Sequence, residues 1–452
     1  MSFPRYPEYK DSGVEWLGEV PGHWVTPPVY LRYSVELGKM LDSSRITGDH
    51  LVPYLRNVDV QWGRINFDDL PEMDIESSEY GRYTVAPGDL LVCEGGEVGR
   101  AAIVPARSGT IGFQKALHRL RASSDDEHPA FMYFTLSWAA LRGVFNQSGL
   151  STIAHLTGEQ LRKYRFPKPP MPEQATIASF LDRETAKIDT LVAEQQNLIA
   201  LLREKRQALI SHAVTKGLDP DVPMKDSGVA WLGEVPAHWT VAPIKYFVKF
   251  RSGGTPSKDR VDYWDGELPW ASAKDLKTER LLDTADHISE TAIDDGAANL
   301  LDAGTVLIVV RGMILARTFP VALTGSRMAI NQDLKGLEPD PKLSSEFLAL
   351  YLRGTAAESL SRLDEAGHGT KALRMDAWAS LEVSFPSLDE QVAIAKVVDR
   401  ETARIDELAV EANLTIALLQ ERRSALISAA VTGKIDVRRL AVASAAPTPE
   451  PA

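Results

Sequence analysis

The feature that most constrains the fold is a heptad pattern that occurs twice in the chain, 217 residues apart. Apolar residues recur at alternating spacings of four and three over residues 173–209, and again over residues 390–426. Such spacing keeps one stripe of a helix facing a partner, so it predicts two long helices that pair as a coiled coil. Polar residues interrupt both seams, but two near-copies in one chain can pair with each other. Two ordinary amphipathic helices in separate cores are the alternative.

A second repeat precedes each globular region. Residues 10–24 and 225–239 are identical except that Ala230 replaces Glu15 and Ala237 replaces Gly22. Their glycines, proline and two tryptophans favour an ordered, extended arm whose indoles anchor it on a surface. His23 and His238 have no second metal ligand at helical or turn spacing, so we assign them a packing or backbone hydrogen-bonding role.

The two repeats together predict a tandem duplication of arm, globular domain and long helix. We expect an α+β fold in which two globular domains are joined by two long antiparallel coiled-coil helices, with pseudo-two-fold symmetry as in a fused dimer. The expected boundaries are an N-terminal arm (1–24), a first domain (25–166), a first long helix (167–217), a linker with the repeated arm (218–239), a second domain (240–384), a second long helix (385–434) and a disordered tail (435–452).

Composition narrows the class of protein. A chain of 452 residues is too long for one ordinary core. No stretch of about twenty apolar residues and no signal peptide is apparent, so we expect a cytoplasmic protein without membrane contact. The formal net charge of −12 argues mildly against a nonspecific nucleic-acid coat, although acidic surfaces elsewhere can balance a local basic groove.

The sequence contains no credible active site. It lacks a phosphate-binding P-loop, the Asn/Asp-Pro-Pro-aromatic motif of amino-methyltransferases, and the carboxylate and lysine cluster of metal-dependent nucleases. Cys93 is the only cysteine and lies in an apolar run with no histidine nearby, which favours a buried structural thiol. We therefore expect a non-catalytic chain that holds no cofactor and no metal.

Comparison of the two halves separates a framework from two variable regions. The arms and long helices agree closely, whereas residues 38–83 and 251–302 scarcely match. A molecule that repeats its framework while varying two surfaces is expected to recognise two different targets at a fixed separation.

Binding side chains are the best represented class in and around these regions. Arg, Asn and Gln can bond two atoms of one base, while Lys, Arg and the backbone amides beside small residues suit phosphates. The candidates in the first half are Lys39, Arg45, Arg56, Asn57, Arg64, Arg82, Arg100, Gln114 and Lys115. Those in the second half are Arg251, Gly253, Gly254, Thr255, Lys258, Lys274, Arg311, Asn331 and Gln332. Taken singly, each is more often a solvated surface residue.

Three motifs carry a specific resemblance that covers nearly the whole chain except the tail. They are the repeated arm, the Pro-x-x-x-Glu-Gln helix entry, and Asp-Arg-Glu-Thr-Ala-Lys/Arg-Ile-Asp at 182–189 and 399–406. Together with Gly-Gly-Thr-Pro-Ser at 253–257, they resemble the specificity subunit of type I restriction-modification systems.

The resemblance implies a subunit that reads double-stranded DNA without catalysing a reaction. Its two target-recognition domains would each read half of a split, asymmetric site, and the paired helices would set the spacer. Two methyltransferase subunits would supply the S-adenosylmethionine chemistry, and restriction subunits the ATP- and Mg-dependent translocation and cleavage. Polar seam residues would pair across the helices or face these partners: Glu184, Lys205, Glu401 and Arg422. A fused methyltransferase/restriction enzyme fragment and a coiled-coil scaffold without DNA binding are the alternatives.

Overall fold

The computed structural model describes residues 3–41, 47–107, 109–146, 155–365 and 370–438. They form two compact units: the first contains the chain up to Gln195 and again from Leu414, and the second contains the chain from Gln196 to Asn413. Helices and strands occur in both units, and the predicted α+β class is confirmed. Within the described residues, no helix is both long and apolar enough to cross a bilayer.

The two predicted long helices are present, as Met171–Lys216 and Leu388–Val431. Apolar seam positions are buried where each helix lies against a globular core, as at Ile177 and Leu181 in the first unit and Ile394 and Val398 in the second. Farther along the first helix the predicted seam is unevenly buried: Leu191 and Leu198 are 44% and 41% exposed, whereas Ile188 and Leu202 are 5% and 8% exposed. The predicted seam is therefore only partly buried away from the globular cores.

In each unit, one half of each long helix runs antiparallel to half of the other. In the first unit Asp189 on the first helix pairs with Arg423 on the second at 2.9 Å. At the other end of the paired segments, Glu173 lies near the turn at Gly433: Tyr6 donates to Glu173, and Tyr9 donates to the Gly433 carbonyl. The second unit repeats this pairing. There Arg206 lies 3.2 Å from Asp406, and Gly217 lies against Glu390.

The polar seam residues do not make these contacts between the helices. Glu184 pairs with Arg183 and Lys187 on its own helix, and Glu401 pairs with Arg400. Lys205 and Arg422 are exposed. The cross-helix ion pairs come instead from positions beside the seam, where long charged side chains reach around the apolar stripe.

The first unit is built on a four-stranded antiparallel sheet and a smaller three-stranded sheet. The order of the larger is Tyr33–Leu37, Leu117–Ala122, Leu90–Cys93 and Ala101–Ile103. The order of the smaller is Gly112–Phe113, Leu51–Leu55 and Glu72–Asp74, with its first pair parallel. Val60–Gln61 pairs with Arg64–Ile65, and the shorter helices are Tyr80–Tyr83, Pro129–Leu141 and Gly158–Lys163.

The second unit has a larger set of strands. Its five-stranded sheet has the order Val248–Ser252, Leu334–Pro339, Val306–Val309, Val321–Thr324 and Arg280–Leu281. A four-stranded sheet has the order Asp286–Ile288, Leu268–Ala271, Met328–Ile330 and Leu300–Leu301. A three-stranded sheet has the order Arg311–Gly312, Lys371–Leu373 and Leu363–Glu365, and Thr240–Pro243 pairs with Glu382–Phe385. The shorter helices are Glu290–Asp294, Ser345–Gly354, Ala356–Leu360 and Met375–Ala379.

Two continuously apolar segments of the sequence lie inside these sheets. Leu90–Cys93 and Val306–Val309 are buried at every position. When both faces of a strand are buried, side chains on either face contact the core, so apolar residues need not alternate with polar ones. This explains why both segments are continuously apolar. Cys93 is buried, as predicted, and burial raises the pKa of its thiol.

Each repeated arm forms a short hairpin rather than a single extended segment. Tyr9–Asp11 pairs with Glu19–Pro21, and Met224–Asp226 pairs with Glu234–Pro236. Gly13 and Gly18 have positive φ values, as do Gly228 and Gly233, so the glycines let the chain reverse. The arm then ends on its tryptophan.

That tryptophan is tied to the first turn of a long helix. In the first unit the Trp24 indole donates to Glu173 at 3.1 Å, and His23 Nε2 lies 2.8 Å from the same carboxylate. In the second unit the Trp239 indole donates to Glu390 at 3.0 Å, and His238 Nε2 lies 2.8 Å away. The histidines thus contact a side-chain carboxylate, not the backbone.

The end of the chain is ordered further than expected. Of the predicted tail, residues 435–438 pack in the first unit: Val437 is buried, and the Asp436 amide donates to the Pro4 carbonyl at 2.8 Å. The apolar Ile435 and Val437 interleave with the polar residues and supply a buried face. Residues 439–452 lie outside the described part of the chain.

A buried charge cluster in the first unit has an apolar counterpart in the second. Arg32 donates two hydrogen bonds to Glu127, at 2.8 and 2.6 Å, and both side chains are almost fully buried. Lys168 lies 3.1 Å from the same carboxylate. In the second unit the equivalent places near the arm and the helix entry are taken by Phe247 and Phe385, whose rings pack edge to face at 4.7 Å.

Two equivalent glycines let strand ends approach each other closely. A Cβ on Gly38 would lie 2.2 Å from the Gln114 carbonyl oxygen, and one on Gly253 would lie 2.1 Å from the Asn331 carbonyl oxygen. Both contacts are with backbone, which cannot swing aside as a flexible side chain can.

Replacing Glu127 with alanine is expected to destabilise the first unit by about 3–5 kcal/mol, since it leaves the Arg32 charge buried without its partner. Urea unfolding followed by tryptophan fluorescence measures this. The control is Asp126→Ala, which removes a neighbouring carboxylate that is 56% exposed and should change stability by no more than about 1 kcal/mol. Equal effects of the two substitutions would contradict the assignment.

Gly38→Ala is expected to lower the free energy of unfolding of the first unit by about 1–3 kcal/mol or more, because the new methyl group would overlap the Gln114 carbonyl. Gly81→Ala is the matched control. Its Cβ would meet no atom within 4 Å, so the helix propensity of alanine should make it neutral or slightly stabilising. Thermal unfolding of both variants distinguishes a steric requirement from a general effect of removing glycine.

Candidate nucleic-acid interface

Four loops of the first unit meet around the close approach at Gly38, and we call them the first loop cluster (38–40, 55–57, 94–96 and 114–116). The Gln114 amide donates to the Leu55 carbonyl, and the Lys115 amide donates to the Lys39 carbonyl, each at 2.9 Å. The Asn57 side chain donates to the Gly95 and Ala116 carbonyls at 3.2 and 3.3 Å. The structure therefore brings together five residues selected from the sequence: Lys39, Arg56, Asn57, Gln114 and Lys115.

Most of the candidate cations of the first unit have a carboxylate or amide partner. Arg56 bonds Asp59 through two nitrogens, each at 2.8 Å, and Arg100 donates to the Asn57 amide oxygen at 2.8 Å. Arg82 lies 3.2 Å from Glu36. Lys39 bonds Glu79, and this hydrogen bond holds the pKa of that carboxyl below its usual value.

Two further candidates of the first unit are exposed and show no side-chain ion pair within the described residues, namely Arg64 and Lys115. Lys115 lies in the first loop cluster, whereas Arg64 lies on a short hairpin strand outside it. Arg45 falls outside the described residues. Lys115 is therefore the first-unit lysine best placed to meet a phosphate without first losing an ion-pair partner.

The second unit gathers its candidates differently, around the segment 252–258. The Gly254 amide donates to the Ile330 carbonyl at 2.9 Å, and the Thr255 hydroxyl bonds the Gln332 side chain. The indoles of Trp270 and Trp264 donate to the Gly254 and Ser257 carbonyls at 2.9 and 3.1 Å. We call this region the second loop cluster (252–258 with 330–332).

The tryptophans give the second loop cluster a rigid support. Trp264 and Trp270 pack edge to face at 5.1 Å beneath the segment. Lys258 lies on the exposed side with no side-chain ion pair in the described part of the chain. The Gly-Gly-Thr-Pro-Ser segment is thus held by backbone contacts, while its lysine stays in solvent.

The remaining candidates of the second unit occupy varied environments. Arg251 bonds Glu338 at 2.8 Å, and Lys274 bonds Asp286 at 2.7 Å. Arg311 is exposed at a strand end beside Asp333, whose carbonyl accepts from the Arg311 amide at 3.4 Å. Asn331 is only 8% exposed, and its side chain bonds Asp333 in a turn, so its amide serves the fold.

Arg317 is a surface cation that the sequence analysis did not select. It is exposed. The repeat does not mark it, because the strand pairing aligns Ala101 with Val321 and so places Arg100 level with Pro320. Lys335, which bonds the Ser252 hydroxyl in the second loop cluster, had no sequence signal either, because its contact joins distant segments.

The polar side chains at the two clusters are set for hydrogen bonding and charge contacts. In the described residues, no group of three or more His, Cys, Asp or Glu side chains is placed to hold a metal ion. The geometry consists of exposed amides, hydroxyls and cations on braced loops, which suits recognition of a charged, hydrogen-bonding surface.

Comparison with known proteins gives two matches to one family, described as the type I restriction modification DNA specificity domain. They cover residues 36–200 and 236–415, one in each half of the chain. A similar relative is the type I restriction enzyme EcoR124I/EcoR124II specificity subunit of Escherichia coli, 26% identical over 247 residues. That match covers 53% of this chain and 55% of the relative, so the chain spans about half the length of this protein.

Two further similarities extend over more of the chain. The putative type I restriction enzyme MjaX specificity subunit of Methanocaldococcus jannaschii is 22% identical over 377 residues, 81% of this chain and 82% of the relative. The HsdS subunit of Thermoanaerobacter tengcongensis superposes with a TM-score of 0.54 at 15% identity, covering 92% of this chain and 98% of that chain.

A second solved structure is more alike. It is a chain from a study of the assembly and conformational transition of a type I R-M system, with a TM-score of 0.71 at 16% identity, covering 91% of this chain and 98% of that chain. At such identities the superposition speaks for the fold alone. The family matches cover well over half of the sequence. The chain therefore belongs to the family of type I restriction modification DNA specificity domains.

Proposed function

We propose that the chain is the non-catalytic specificity subunit of a type I restriction-modification complex, and that its two globular domains each read one half of a bipartite, asymmetric DNA site. The main observation behind this proposal is that the two units repeat the same arm and long helix but carry two different loop clusters. Glu173 and Glu390 hold equivalent arms, whereas Asn57 and Arg100 brace one cluster and the Thr255–Gln332 contact with two tryptophans braces the other.

Different loop chemistry implies different half-sites. In the first unit Gln114 and Lys115 belong to the loop cluster, and in the second unit Gln332 and Lys258 do. The Asn57 amide bonds Gly95, Ala116 and Arg100, so it braces the first cluster instead. Asn and Gln can pair with adenine in the major groove, while lysines neutralise phosphates. An arginine that already pairs with a carboxylate would have to give up that partner before it could contact a phosphate or a base. The ion-paired arginines are therefore weaker candidates for DNA contacts than the exposed lysines.

The long helices are proposed to set the distance between the half-sites. A helix of 46 residues, Met171–Lys216, is about 69 Å long, or about two turns of B-DNA. The ion pairs Asp189–Arg423 and Arg206–Asp406 hold each half of the helix pair in register. A helix of fixed length is expected to favour a spacer of fixed length.

The catalytic partners are proposed to be two methyltransferase subunits and the restriction/translocase subunits. S-adenosylmethionine, ATP and Mg would be bound by those subunits in the cytoplasm, where the DNA is. Equivalent leucines on the two long helices favour two equivalent docking sites: Leu201 is 53% exposed and Leu418 is 66% exposed, 217 residues apart. Exposed apolar side chains repeated on a framework are typical of protein interfaces.

Co-expression of the chain with its methyltransferase, followed by methylation mapping of the whole genome, tests the proposal. The expected result is methylation at one bipartite site with two unlike half-sites. Methylation by the purified chain alone, with S-adenosylmethionine added, would instead support a fused enzyme. No salt-dependent retention of the assembled complex on duplex DNA would support a scaffold that does not bind DNA.

Insertion of one whole helical turn after Gln195 and after Asn413 should change the preferred spacer while both half-sites keep their sequences, because only the helices lengthen. The same methylation mapping reads both quantities at once. Insertion of the same residues after Ser123, in an exposed turn of the first domain, is the control and should leave the spacer as it was. Altered half-sites with an unchanged spacer would overturn the role assigned to the helices.

Lys115→Ala should weaken binding of the assembled complex to its site and lower the slope of log K against log salt by about one, because one phosphate contact is lost. Fluorescence anisotropy with a labelled duplex at several salt concentrations measures the slope. Lys10→Ala removes a lysine from the first arm and serves as the matched control, with no change expected. Identical slopes for Lys115→Ala and the unmodified complex would exclude Lys115 from the interface.

A further inference from the structure

The two loop clusters present different side chains from one equivalent place. The strands Leu117–Ala122 and Leu334–Pro339 each have two antiparallel neighbours, one of which is the buried apolar strand of that unit. Lys115 stands two residues before the first of these strands, and Gln332 stands two residues before the second. Both residues are exposed. The two side chains therefore leave the same point of a repeated backbone.

The fold does not need a glutamine at position 332. The turn there is made by its neighbours: the Asn331 side chain donates to the Asp333 carboxylate at 3.3 Å and accepts from the Asp333 amide at 3.1 Å. The Gln332 side chain takes no part in these contacts, and the equivalent place in the first unit holds Lys115. The amide group of Gln332 is therefore available for binding.

A threonine holds the Gln332 side chain in one orientation. The Thr255 hydroxyl donates to Oε1 of Gln332. Thr255 is itself fixed from both sides, because the Gly254 carbonyl accepts the Trp270 indole N–H at 2.9 Å and Pro256 is buried. An exposed glutamine ordinarily rotates among several conformers, and this hydrogen bond restricts it before any ligand arrives.

The first unit has no hydroxyl at the place of Thr255. Met40 stands two residues after Gly38, as Thr255 stands two residues after Gly253, and Met40 is 63% exposed. The hydroxyl thus occurs in the cluster that has the amide, and a thioether replaces it in the cluster that has the lysine. This pairing is expected if the hydroxyl serves the amide.

The bond to Thr255 leaves the recognition groups of Gln332 free. A carbonyl oxygen has two lone pairs, so Oε1 can still accept one hydrogen bond. Nε2 of Gln332 makes no hydrogen bond within the described residues, so it can donate. A donor and an acceptor side by side match N7 and the N6 amino group of adenine in the major groove, whereas guanine offers two acceptors there and cytosine one donor. Adenine is the base that uses both groups.

We propose that Gln332 reads an adenine in the half-site of the second unit, and that Thr255 is the positioning residue that orients its amide for this contact. The inference rests on the proposed DNA-reading function and deepens it, because it assigns one base to one side chain.

The experiment uses the complex assembled with its methyltransferase and labelled duplexes that carry the mapped site with single base-pair changes. Fluorescence anisotropy should reveal one adenine in one half-site whose replacement weakens binding about tenfold in the unmodified complex, and Gln332→Ala should reduce this penalty to less than about twofold. The penalties at other positions should stay as they were. A mapped bipartite site with no such adenine, or an equal loss of affinity for every duplex, would overturn the inference and leave the proposed function standing. Absence of any bipartite site would overturn both.

Two further changes test the chemistry and the orientation separately. Gln332→Glu keeps an acceptor for the Thr255 hydroxyl but removes the donor, so the preference at that position should move from adenine towards cytosine, whose amino group a carboxylate accepts. Thr255→Val removes the hydroxyl and keeps the shape of the side chain, so it should lower the discrimination for adenine about threefold or more. Thr255→Ser should restore it.

Thr278→Val is the matched control. It removes an exposed threonine hydroxyl that lies outside the second loop cluster and bonds the Arg280 carbonyl, so the discrimination for adenine should not change. An equal loss of affinity for every duplex with Thr255→Val would overturn the positioning role. If Gln332→Ala lowers the unfolding temperature, Gln332→Lys provides the same test, because the first unit folds with a lysine at this place.

Discussion

The framework depends on one interaction, the contact of a helix-entry carboxylate with a tryptophan indole and a histidine. Glu173 and Glu390 each lie in the first turn of a long helix, where the positive end of the helix dipole favours a carboxylate. Each accepts the indole N–H of the arm that precedes its own domain, at 3.1 and 3.0 Å. The start of the helix, the arm and the domain between them are therefore fixed at one point. The two variable regions, residues 38–83 and 251–302, lie inside these closed segments.

Inside the closed segments, similar topology is stabilised by different chemistry. The first unit buries the Arg32–Glu127 pair, whereas the second packs Phe247 against Phe385. Buried ion pairs and apolar contacts of similar volume can stabilise a core about equally well. The core residues therefore differ between the two units, as the loop residues do, while the anchoring glutamates are the same in both. This division suits a protein whose framework is fixed and whose surfaces specify targets.

Much of the framework was predictable because its signals are local. The heptads, the repeated arm and the apolar strand runs each follow from residues close together in the chain. The candidate site was predictable only in part. Lys39, Asn57, Gln114 and Lys115 do meet, but the partner of Lys39 is Glu79, forty residues away, and Asn331 is buried in a turn. The spacing of residues along the sequence does not predict such contacts between distant segments. The cross-helix ion pairs likewise join positions beside the seam, whereas the charged seam residues Glu184 and Glu401 pair within their own helices.

The first unit takes its final residues from the far end of the chain. Its core contains Leu426, Ile427, Ala430 and Val431, whereas the residues of the second unit run without interruption from Gln196 to Asn413. A ribosome delivers the second unit complete before it delivers the segment that closes the first. The domain synthesised first therefore completes its core only after residues 426–431 have been translated. During that interval its incomplete core is exposed to aggregation and to chaperones, and partners that recognise the finished framework can bind only after the second long helix has joined it.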